Sequence, residues 1–208
     1  GRPMGLTAAQ LRAGLDAVAA DDSRIAAAIA RVGYPEERIR GRGMVTLLRT
    51  IVGQQVSFKA ADSIWAKCAG IVGDVEDPTA WLARSDEELR AGGLSRQKIG
   101  YMQSLAHATA SGAIDFDAMP ADDEAAIAQL VAVKGIGRWS AEVYLLFSEG
   151  RTDIWPAGDL AVQIETGRIL GLDAKPSEKL TRSLAEGWAP HRGSVAVFMW
   201  HHYKTAVI

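Results

Sequence analysis

Apolar and polar residues follow a helical period through almost the whole chain. Apolar positions recur at spacings of three and four residues, and the alternating β-branched runs typical of strands are few. Thr7, Asp77 and Ser85 stand where helices would begin, and Gly112 and Gly171 stand where helices would end. The pattern therefore predicts an all-α protein.

The positions of the predicted helices follow from this periodicity and from the start and stop signals. They are residues 7–20, 22–32, 43–52, 57–68, 77–83, 85–91, 95–111, 122–131, 138–146, 160–170, 177–188 and 192–203. Pro156 and Pro190 fall between predicted helices, where a missing backbone N–H does least harm. No internal repeat or low-complexity tract interrupts the pattern.

Length and composition indicate a globular protein. With 208 residues and 48% hydrophobic content, the chain can bury a full core in one domain or in two small lobes. No run approaches the about 18 apolar residues of a membrane span, and no signal sequence opens the chain. We therefore expect a soluble protein of the cytoplasm or, in a eukaryote, of the nucleus. Gly1-Arg-Pro, which precedes Met4, is interpreted as an appended remnant.

Cysteine and histidine content argues against a metal centre built from side chains. Cys68 is the single cysteine, which excludes a disulfide framework and a four-cysteine zinc or iron–sulfur site within this chain. It is expected to be a small core residue. The histidines show no zinc-ligand spacing; they are His107, His191, His201 and His202.

Charge is unevenly distributed along the chain. The formal net charge of −2 does not suggest a protein that coats nucleic acid. No acidic residue falls between Arg38 and Ala61, however, and this stretch holds Arg38, Arg40, Arg42, Arg49 and Lys59. Such a stretch fits a protein that holds a few phosphates, and an ordinary solvated helix face explains it equally well.

The most informative segment runs from Leu130 to Phe147 and turns at Gly135-Ile136-Gly137. The glycines can adopt positive φ and let the backbone approach a ligand closely, while Ile136 can point inward. The helix that opens after the turn offers unpaired N–H groups at its positive end, which suits phosphate binding. A Gly-x-Gly alone is a weak signal and more often marks an ordinary turn. Apolar residues on both sides favour a helix-hairpin-helix.

Three blocks of the sequence resemble a known family. They are Ile51-Val-Gly-Gln-Gln-Val-Ser57, the hairpin followed by Trp155-Pro-Ala-Gly-Asp159, and Trp188-Ala-Pro-His-Arg192 running on to Phe198-Met-Trp200. Together they resemble the helix-hairpin-helix DNA glycosylase superfamily and, within it, the 3-methyladenine DNA glycosylase II family. The resemblance extends from about Arg42 to Tyr203.

The resemblance implies a fold of two helical lobes with an active-site cleft between them. Residues 1–45 would form N-terminal helices that pack with the C-terminal lobe. Residues 46–150 would form a helical barrel ending in the hairpin, and residues 151–208 would carry the catalytic aspartate and complete the second lobe. The implied partner is double-stranded DNA containing damaged bases. The protein is expected to be a monomer that binds no membrane and requires no cofactor.

Asp159 is the catalytic residue that the resemblance implies. Taken alone, an aspartate before a helix is more often an N-cap, and Asp159 can serve both purposes. A fixed carboxylate would stabilise the positive charge that grows on deoxyribose as the glycosidic bond breaks, and it would orient or deprotonate the attacking water. Relatives that also cut the backbone carry a lysine nucleophile where this chain has Trp139, so a monofunctional enzyme is expected.

Aromatic residues and one amide are assigned to the base pocket by the same resemblance, namely Trp139, Trp200, Gln54 and Tyr144. Purines alkylated at N3 or N7 are cationic, and cation–π attraction would favour them over neutral bases by about 0.5–2 kcal/mol. The other tryptophans are expected in the core; they are Trp65, Trp81, Trp155 and Trp188.

DNA contacts are expected from three segments. Gln55 would fill the gap left by a flipped nucleotide, although the family's wedge is often apolar, and Ser57 follows it. The turn at Gly92-Gly93 leads into a helix whose Arg96 and Lys98 would contact a phosphate. The hairpin set is Lys134, Gly135, Gly137, Arg138 and Ser140. A structural Na⁺ or K⁺ is also implied at the hairpin, bound by the backbone carbonyls of Val131, Val133 and Ile136.

Two other functions remain open from the sequence. One is a monofunctional glycosylase for oxidised, deaminated or mismatched bases. The other is a non-catalytic helix-hairpin-helix module that only holds the DNA backbone, with Asp159 as a cap and Trp200 as a core residue.

Overall fold

The computed structural model describes residues 5–205, and within them the regular structure is helical, without a strand. The helices are α1 (Ala8–Asp21), α2 (Ser23–Val32), α3 (Met44–Val52), α4 (Phe58–Val72), α5 (Pro78–Leu82), α6 (Asp86–Ala91), α7 (Arg96–Ala110), α8 (Asp123–Val131), α9 (Arg138–Ser148), α10 (Leu160–Ile169), α11 (Glu178–Leu184) and α12 (Arg192–Thr205). The all-α prediction is confirmed. The interpretation of Gly1-Arg-Pro lies outside the described residues.

Side-chain caps explain why the helices begin where the sequence predicted. Thr7 and Gln10 form a capping box at α1, and Ser85 and Glu88 form a second one at α6. The start of α4 is capped by Ser57, which accepts a hydrogen bond from the N–H of Ala60. Each cap satisfies backbone N–H groups that have no partner inside the helix.

Two helices end more than two residues from the predicted position. The prediction ended the fourth helix at Cys68, but α4 continues to Val72 and stops at Gly73, whose φ is +85°. The predicted helix 177–188 is divided into α11 and a short 3₁₀ turn at Glu186–Trp188. Gly187 has a poor helix propensity, and Pro190 lies just beyond the turn, so both oppose a continuous helix.

The chain divides into two compact units, which differ from the expected boundaries. The terminal unit comprises Gly1–Arg40 and Leu145–Ile208, and the central unit comprises Gly41–Tyr144. The boundaries therefore follow residues 40 and 144, where the sequence suggested 45 and 150. Helix α9 runs through the second of them.

The central unit is built around α7, which packs against α3, α5 and α6. Its fully buried side chains include Leu48, Ile51, Trp81 and Met102. Cys68 is also fully buried, as expected for a small core residue, and burial raises the pKa of its thiol.

In the terminal unit, α12 packs against α10, α1 and α2. A Cβ on Gly14 of α1 would stand 2.5 Å from the hydroxyl of Ser194, so glycine permits the close approach of α1 and α12. Trp155 and Trp188 are buried here and Trp81 in the central unit, as predicted, whereas Trp65 is only half-buried.

Candidate functional site

Asp159 caps helix α10 in the terminal unit. Its Oδ1 accepts a hydrogen bond from the N–H of Val162 at 3.0 Å and a second from Nε1 of Trp200 at 3.1 Å. Both donors reach the same oxygen, so the orientation of the carboxylate is fixed. The side chain is half-buried. The cap expected for Asp159 is confirmed, and the contact with Trp200 joins two residues that are far apart in sequence.

The loop before Asp159 is anchored by side-chain hydrogen bonds. Nε1 of Trp155 donates to the carbonyl of Thr181 at 3.1 Å, and Nε2 of Gln163 donates to the carbonyl of Ala157 at 2.8 Å. Lys175 in turn donates to the side-chain oxygen of Gln163 at 2.9 Å. These contacts hold the backbone that leads to Asp159, which preorganises the carboxylate.

Trp200 lies on α12, with its ring beside Phe147. The two ring centroids are 5.5 Å apart at a tilt of 35°, and Trp200 is half-buried. The indole therefore has an aromatic neighbour, a hydrogen bond to Asp159 and a partly accessible surface. This combination suits a residue that both holds the carboxylate and contacts a ligand.

A buried pair of ionisable residues lies between the helices that carry Asp159 and Trp200. Nδ1 of His202 on α12 is 2.6 Å from Oε2 of Glu165 on α10, and both side chains are buried. Arg168 contacts the other oxygen of Glu165 at 2.9 Å. The sequence offered no signal for this pair, since its members are distant along the chain.

The hairpin between α8 and α9 requires its first glycine. Gly135 has φ +90°, and a Cβ there would stand 2.2 Å from Cγ of Tyr101. Ile136 is buried, as predicted. Gly137 differs, because its φ is not positive and a Cβ would meet nothing within 4 Å. The fold therefore does not require a glycine at position 137. The backbone of Gly137 is exposed, with open space above it.

Exposed residues surround this turn in the central unit. Lys134 is exposed, the side chain of Trp139 is 48% exposed, and Ser140 is half-buried. Arg138 was expected to contact DNA, but its guanidinium contacts both oxygens of Glu124, at 2.6 and 3.0 Å, and Glu142 at 3.4 Å. Its charge is therefore already compensated, and the structure gives it a role within the unit.

The loop after α3 contacts the hairpin. Nε2 of Gln54 donates to the carbonyl of Gly135 at 3.2 Å. Among residues 5–205, Gln55 is the non-glycine residue with positive φ, at 59°, and its side chain is exposed. A left-handed conformation costs a residue with a side chain about 1–2 kcal/mol, and such strain is typical of functional loops.

Phe58, the first residue of α4, was not singled out in the sequence. Its side chain is 93% exposed, which is unusual for a large aromatic residue, and Gln55 lies three positions before it. The available signal was an aromatic residue at the start of a helix, between Ser57 and Lys59. The crest of this loop therefore presents an amide and a phenyl ring.

Arg96 and Lys98, which were both predicted to contact a DNA phosphate, lie in different surroundings. Arg96, the first residue of α7, is exposed. Lys98 donates from Nζ to the carbonyl of Val52 at 2.8 Å, and partial burial lowers its pKa. Lys98 thus provides a hydrogen-bond donor to the last carbonyl of α3, which has no donor within the helix. The prediction did not include this structural role.

Tyr144 is a core residue, contrary to the prediction that it lines the base pocket. It is 2% exposed, its hydroxyl accepts a hydrogen bond from the N–H of Gly43 at 2.8 Å, and its ring meets Phe116 edge-on at 5.7 Å. Its helical position favours burial, which the periodicity alone did not distinguish from a pocket.

The described part of the chain has neither a side-chain metal site nor a membrane-spanning helix. Residues 5–205 contain no group of three or more His, Cys, Asp or Glu side chains arranged to hold a metal ion. Across the same residues, no helix has the length and apolar content needed to cross a bilayer. The carbonyl of Val133, just after α8, accepts a hydrogen bond from the N–H of Ile136 at 3.2 Å.

Comparison with known proteins places these features in a family. A model of the HhH-GPD superfamily of base excision DNA repair proteins matches residues 48–191. DNA-3-methyladenine glycosylase 1 of Schizosaccharomyces pombe is 34% identical over 164 residues, which cover 77% of this chain and 72% of that protein.

Solved structures agree with this assignment. A DNA-3-methyladenine glycosidase from Bacillus halodurans superimposes with a TM-score of 0.85 at 31% identity, covering 91% of this chain and 88% of that one. The S. pombe 3-methyladenine DNA glycosylase in complex with abasic DNA superimposes with a TM-score of 0.76 at 30% identity. The match covers 93% of this chain and 97% of that one. The chain belongs to the HhH-GPD superfamily of base excision DNA repair proteins.

Proposed function

We propose that this protein is a monofunctional DNA glycosylase that removes N-alkylated purines of the 3-methyladenine and 7-methylguanine type by hydrolysis. The observation that carries the proposal is the carboxylate of Asp159, fixed by the indole N–H of Trp200 and the N–H of Val162. The names of the relatives support the substrate class.

Asp159 acts on the sugar of the damaged nucleotide. As the bond from C1′ to the base nitrogen breaks, its electron pair leaves with the base and positive charge develops on the deoxyribose ring. The nearby anion stabilises that charge, and because it is already held in position, little reorganisation is needed. Water then adds to C1′, and the carboxylate accepts its proton. The products are a free base and an abasic strand.

Trp139 supports the absence of strand cleavage. It stands where lyase-type relatives have an amine nucleophile, and an indole cannot form a Schiff base with C1′. Lys134 precedes the turn, and its exposed ammonium is better suited to binding a phosphate.

Aromatic surfaces supply the proposed preference for alkylated bases. A purine methylated at N3 or N7 is positively charged and has a weakened glycosidic bond, so cation–π attraction and the leaving group both favour it. Trp200 has a partly accessible ring next to the catalytic carboxylate. Trp139, in the central unit, also carries an exposed ring.

DNA binding is assigned to the hairpin and to the loop at Gln55. The open backbone at Gly137, with Lys134 and Ser140, would bind a phosphate, and a Na⁺ or K⁺ held by the carbonyls of Val131, Val133 and Ile136 would add positive charge there. Gln55 and the exposed ring of Phe58 would occupy the space left by a flipped nucleotide, which offsets part of the cost of unstacking.

The test is incubation of the purified protein with methylated double-stranded DNA, with chromatography of the released bases. We expect free 3-methyladenine and 7-methylguanine, an abasic strand that breaks only on alkaline treatment, and no covalent adduct after borohydride reduction. Release of only oxidised, deaminated or mismatched bases would replace the substrate class. DNA binding without release of any base would identify a non-catalytic module.

A further inference from the structure

Two arginines of the terminal unit contact the ring beside Trp200. The guanidinium carbons of Arg38 and Arg40 lie 5.4 and 5.5 Å from the ring centroid of Phe147. We propose that Arg38 and Arg40 form a phosphate-binding site, separate from the hairpin, that takes a backbone phosphate of the DNA strand. The proposal rests on the DNA binding put forward above and adds a site in the terminal unit.

Backbone contacts hold the two arginines in place. The N–H of Arg40 donates to the carbonyl of Phe147 at 3.0 Å. Gly5 packs closely against the same carbonyl and against Ile39. A Cβ on Gly5 would stand 2.5 Å from the carbonyl oxygen of Phe147 and 3.0 Å from Cγ1 of Ile39. Both guanidinium groups lie near this one ring. The pair is thus preorganised.

The positive charge of this pair is not balanced by a carboxylate. Within residues 5–205, no acidic side chain forms an ion pair with Arg38 or Arg40. Of the two acidic neighbours in sequence, Glu36 is exposed, and Glu37 accepts a hydrogen bond from the N–H of Ala8 at 3.0 Å. Partial burial, and then the charge of Arg38, lower the pKa of Arg40. An anion between the two groups would relieve their repulsion.

A phosphate diester fits this arrangement better than a monodentate anion. Two planar guanidinium groups offer several parallel N–H donors, which match the oxygens of a phosphate. Phe147 also contacts Trp200, and Trp200 holds Asp159, so one aromatic ring separates the arginines from the proposed base-binding indole. A bound phosphate, with its single negative charge, would offset one of the two positive charges that oppose the approach of a cationic base.

The experiment measures the salt dependence of DNA binding, which does not require catalysis. Fluorescence anisotropy with a duplex carrying a stable abasic analogue gives the slope of log K against log salt, and each phosphate contact contributes about 0.9 to that slope on duplex DNA. We expect R38Q/R40Q to reduce the slope by about 1. R38K/R40K, which keeps both charges, should retain most of it.

The matched control is R12Q/R31Q, which removes two exposed arginines from α1 and α2 of the same unit and changes the net charge equally. We expect little change in its slope. Inorganic phosphate should compete only weakly with DNA, since a free anion lacks the strand. Melting curves by circular dichroism confirm that each variant is folded.

An unchanged slope in folded R38Q/R40Q would overturn the phosphate site. An equal loss in R12Q/R31Q would overturn it too, because it would indicate only a general charge effect. Tight competition by inorganic phosphate would identify a free-anion site and overturn the strand assignment. If the wild type binds DNA with this slope but releases no base, the glycosylase proposal fails while the arginine site stands.

Discussion

The indole N–H of Trp200 and the backbone N–H of Val162 share one carboxylate oxygen of Asp159, at 3.1 and 3.0 Å. The resemblance implied that Trp200 stacks on the base and that Asp159 acts on the sugar. The hydrogen bond couples the two functions, because a bound base that moved the indole would also move the carboxylate of Asp159. Trp200 is therefore proposed to position Asp159 as well as contact the base.

Replacing Trp200 by phenylalanine separates these two roles. Trp200→Phe keeps an aromatic face and removes the N–H donor to Asp159. A hydrogen bond to a charged group contributes about 1.5–3 kcal/mol, so we expect single-turnover excision to slow by about 10- to 100-fold. Affinity for abasic DNA should change little. Excision at the wild-type rate would show that the hydrogen bond does not position the carboxylate.

Trp200→Ala tests the recognition of charge. Loss of the ring should reduce excision of 7-methylguanine or 3-methyladenine more than excision of neutral hypoxanthine, because only the cationic bases gain cation–π attraction. The comparison uses protein shown to be folded, since truncating a large aromatic residue costs up to about 3–5 kcal/mol of stability. Equal losses on both kinds of base would limit Trp200 to packing and uncharged stacking.

Asp159→Asn removes one charge with little change in shape. The amide oxygen can still cap α10 and accept from Trp200, so the fold should be retained. We expect excision to fall by at least about 10²- to 10³-fold, the scale of losing a preorganised electrostatic contact, while abasic DNA still binds. Asp122→Asn is the matched control, because Asp122 caps α8 through the N–H of Ala125. Comparable losses in both variants would indicate a capping effect.

Local sequence rules predicted most of the fold because helices depend on nearby residues. Capping residues such as Thr7, Ser85 and Asp159 accept a hydrogen bond from the backbone N–H three residues later. The sequence pattern therefore locates the starts of these helices accurately. The hairpin likewise depends on Gly135 and its immediate neighbours. The end of α4 and the 3₁₀ turn after α11 were missed, because a helix end depends on weak competition between propensity and packing.

Contacts between distant residues were beyond these rules. The pairing of Arg138 with Glu124 and the burial of Tyr144 depend on which side chains tertiary packing brings together. Phe58 shows the reverse case, where a residue type common in cores is exposed. Periodicity identifies a helix face, but it does not specify whether that face meets the core or a ligand.

The Glu165–His202 pair should contribute strongly to stability. Both side chains are buried, and a buried donor left without its acceptor costs about 1–3 kcal/mol; Glu165→Ala also removes the contact with Arg168. We expect Glu165→Ala to lower the free energy of unfolding by about 3 kcal/mol in urea. Glu178→Ala, which removes a surface contact of 3.9 Å with Arg182, should cost less than about 1 kcal/mol. A small effect at Glu165 would mean that the pair is neutral in net energy.

Asp22 should make stability depend on pH in the acid range. Burial alone would raise the pKa of Asp22, but hydrogen bonds from Arg24, from the indole of Trp188 and from backbone N–H groups lower it to about 2. A folded-state pKa below the unfolded value stabilises the protein above pH of about 4, and this contribution is lost as pH falls towards 2.

The corresponding measurement compares wild type with Asp22→Asn. At pH 7 the variant should be less stable by up to about 2 kcal/mol, since one unit of pKa corresponds to about 1.4 kcal/mol. The difference should shrink steadily below pH 4. A difference that stays constant down to pH 2 would show that the charge of Asp22 does not supply this stability.

The two hairpin glycines should respond oppositely to alanine. Gly135→Ala places a methyl group 2.2 Å from Cγ of Tyr101 and forces alanine into φ +90°, so we expect a loss of stability above about 2 kcal/mol. Gly137→Ala meets nothing within 4 Å and carries no positive φ, so its unfolding free energy should stay within about 0.5 kcal/mol of wild type.

DNA binding completes the comparison, because Gly137→Ala sets a methyl group in the open space where a phosphate would approach the backbone. We expect its affinity for abasic DNA to fall by about tenfold, as for the loss of one charge-assisted hydrogen bond of about 1.4 kcal/mol. Gly187→Ala, in the 3₁₀ turn after α11, also meets nothing within 4 Å and carries no positive φ, so it controls for glycine replacement in general. Wild-type affinity in a stable Gly137→Ala protein would remove the hairpin backbone from the proposed DNA contacts.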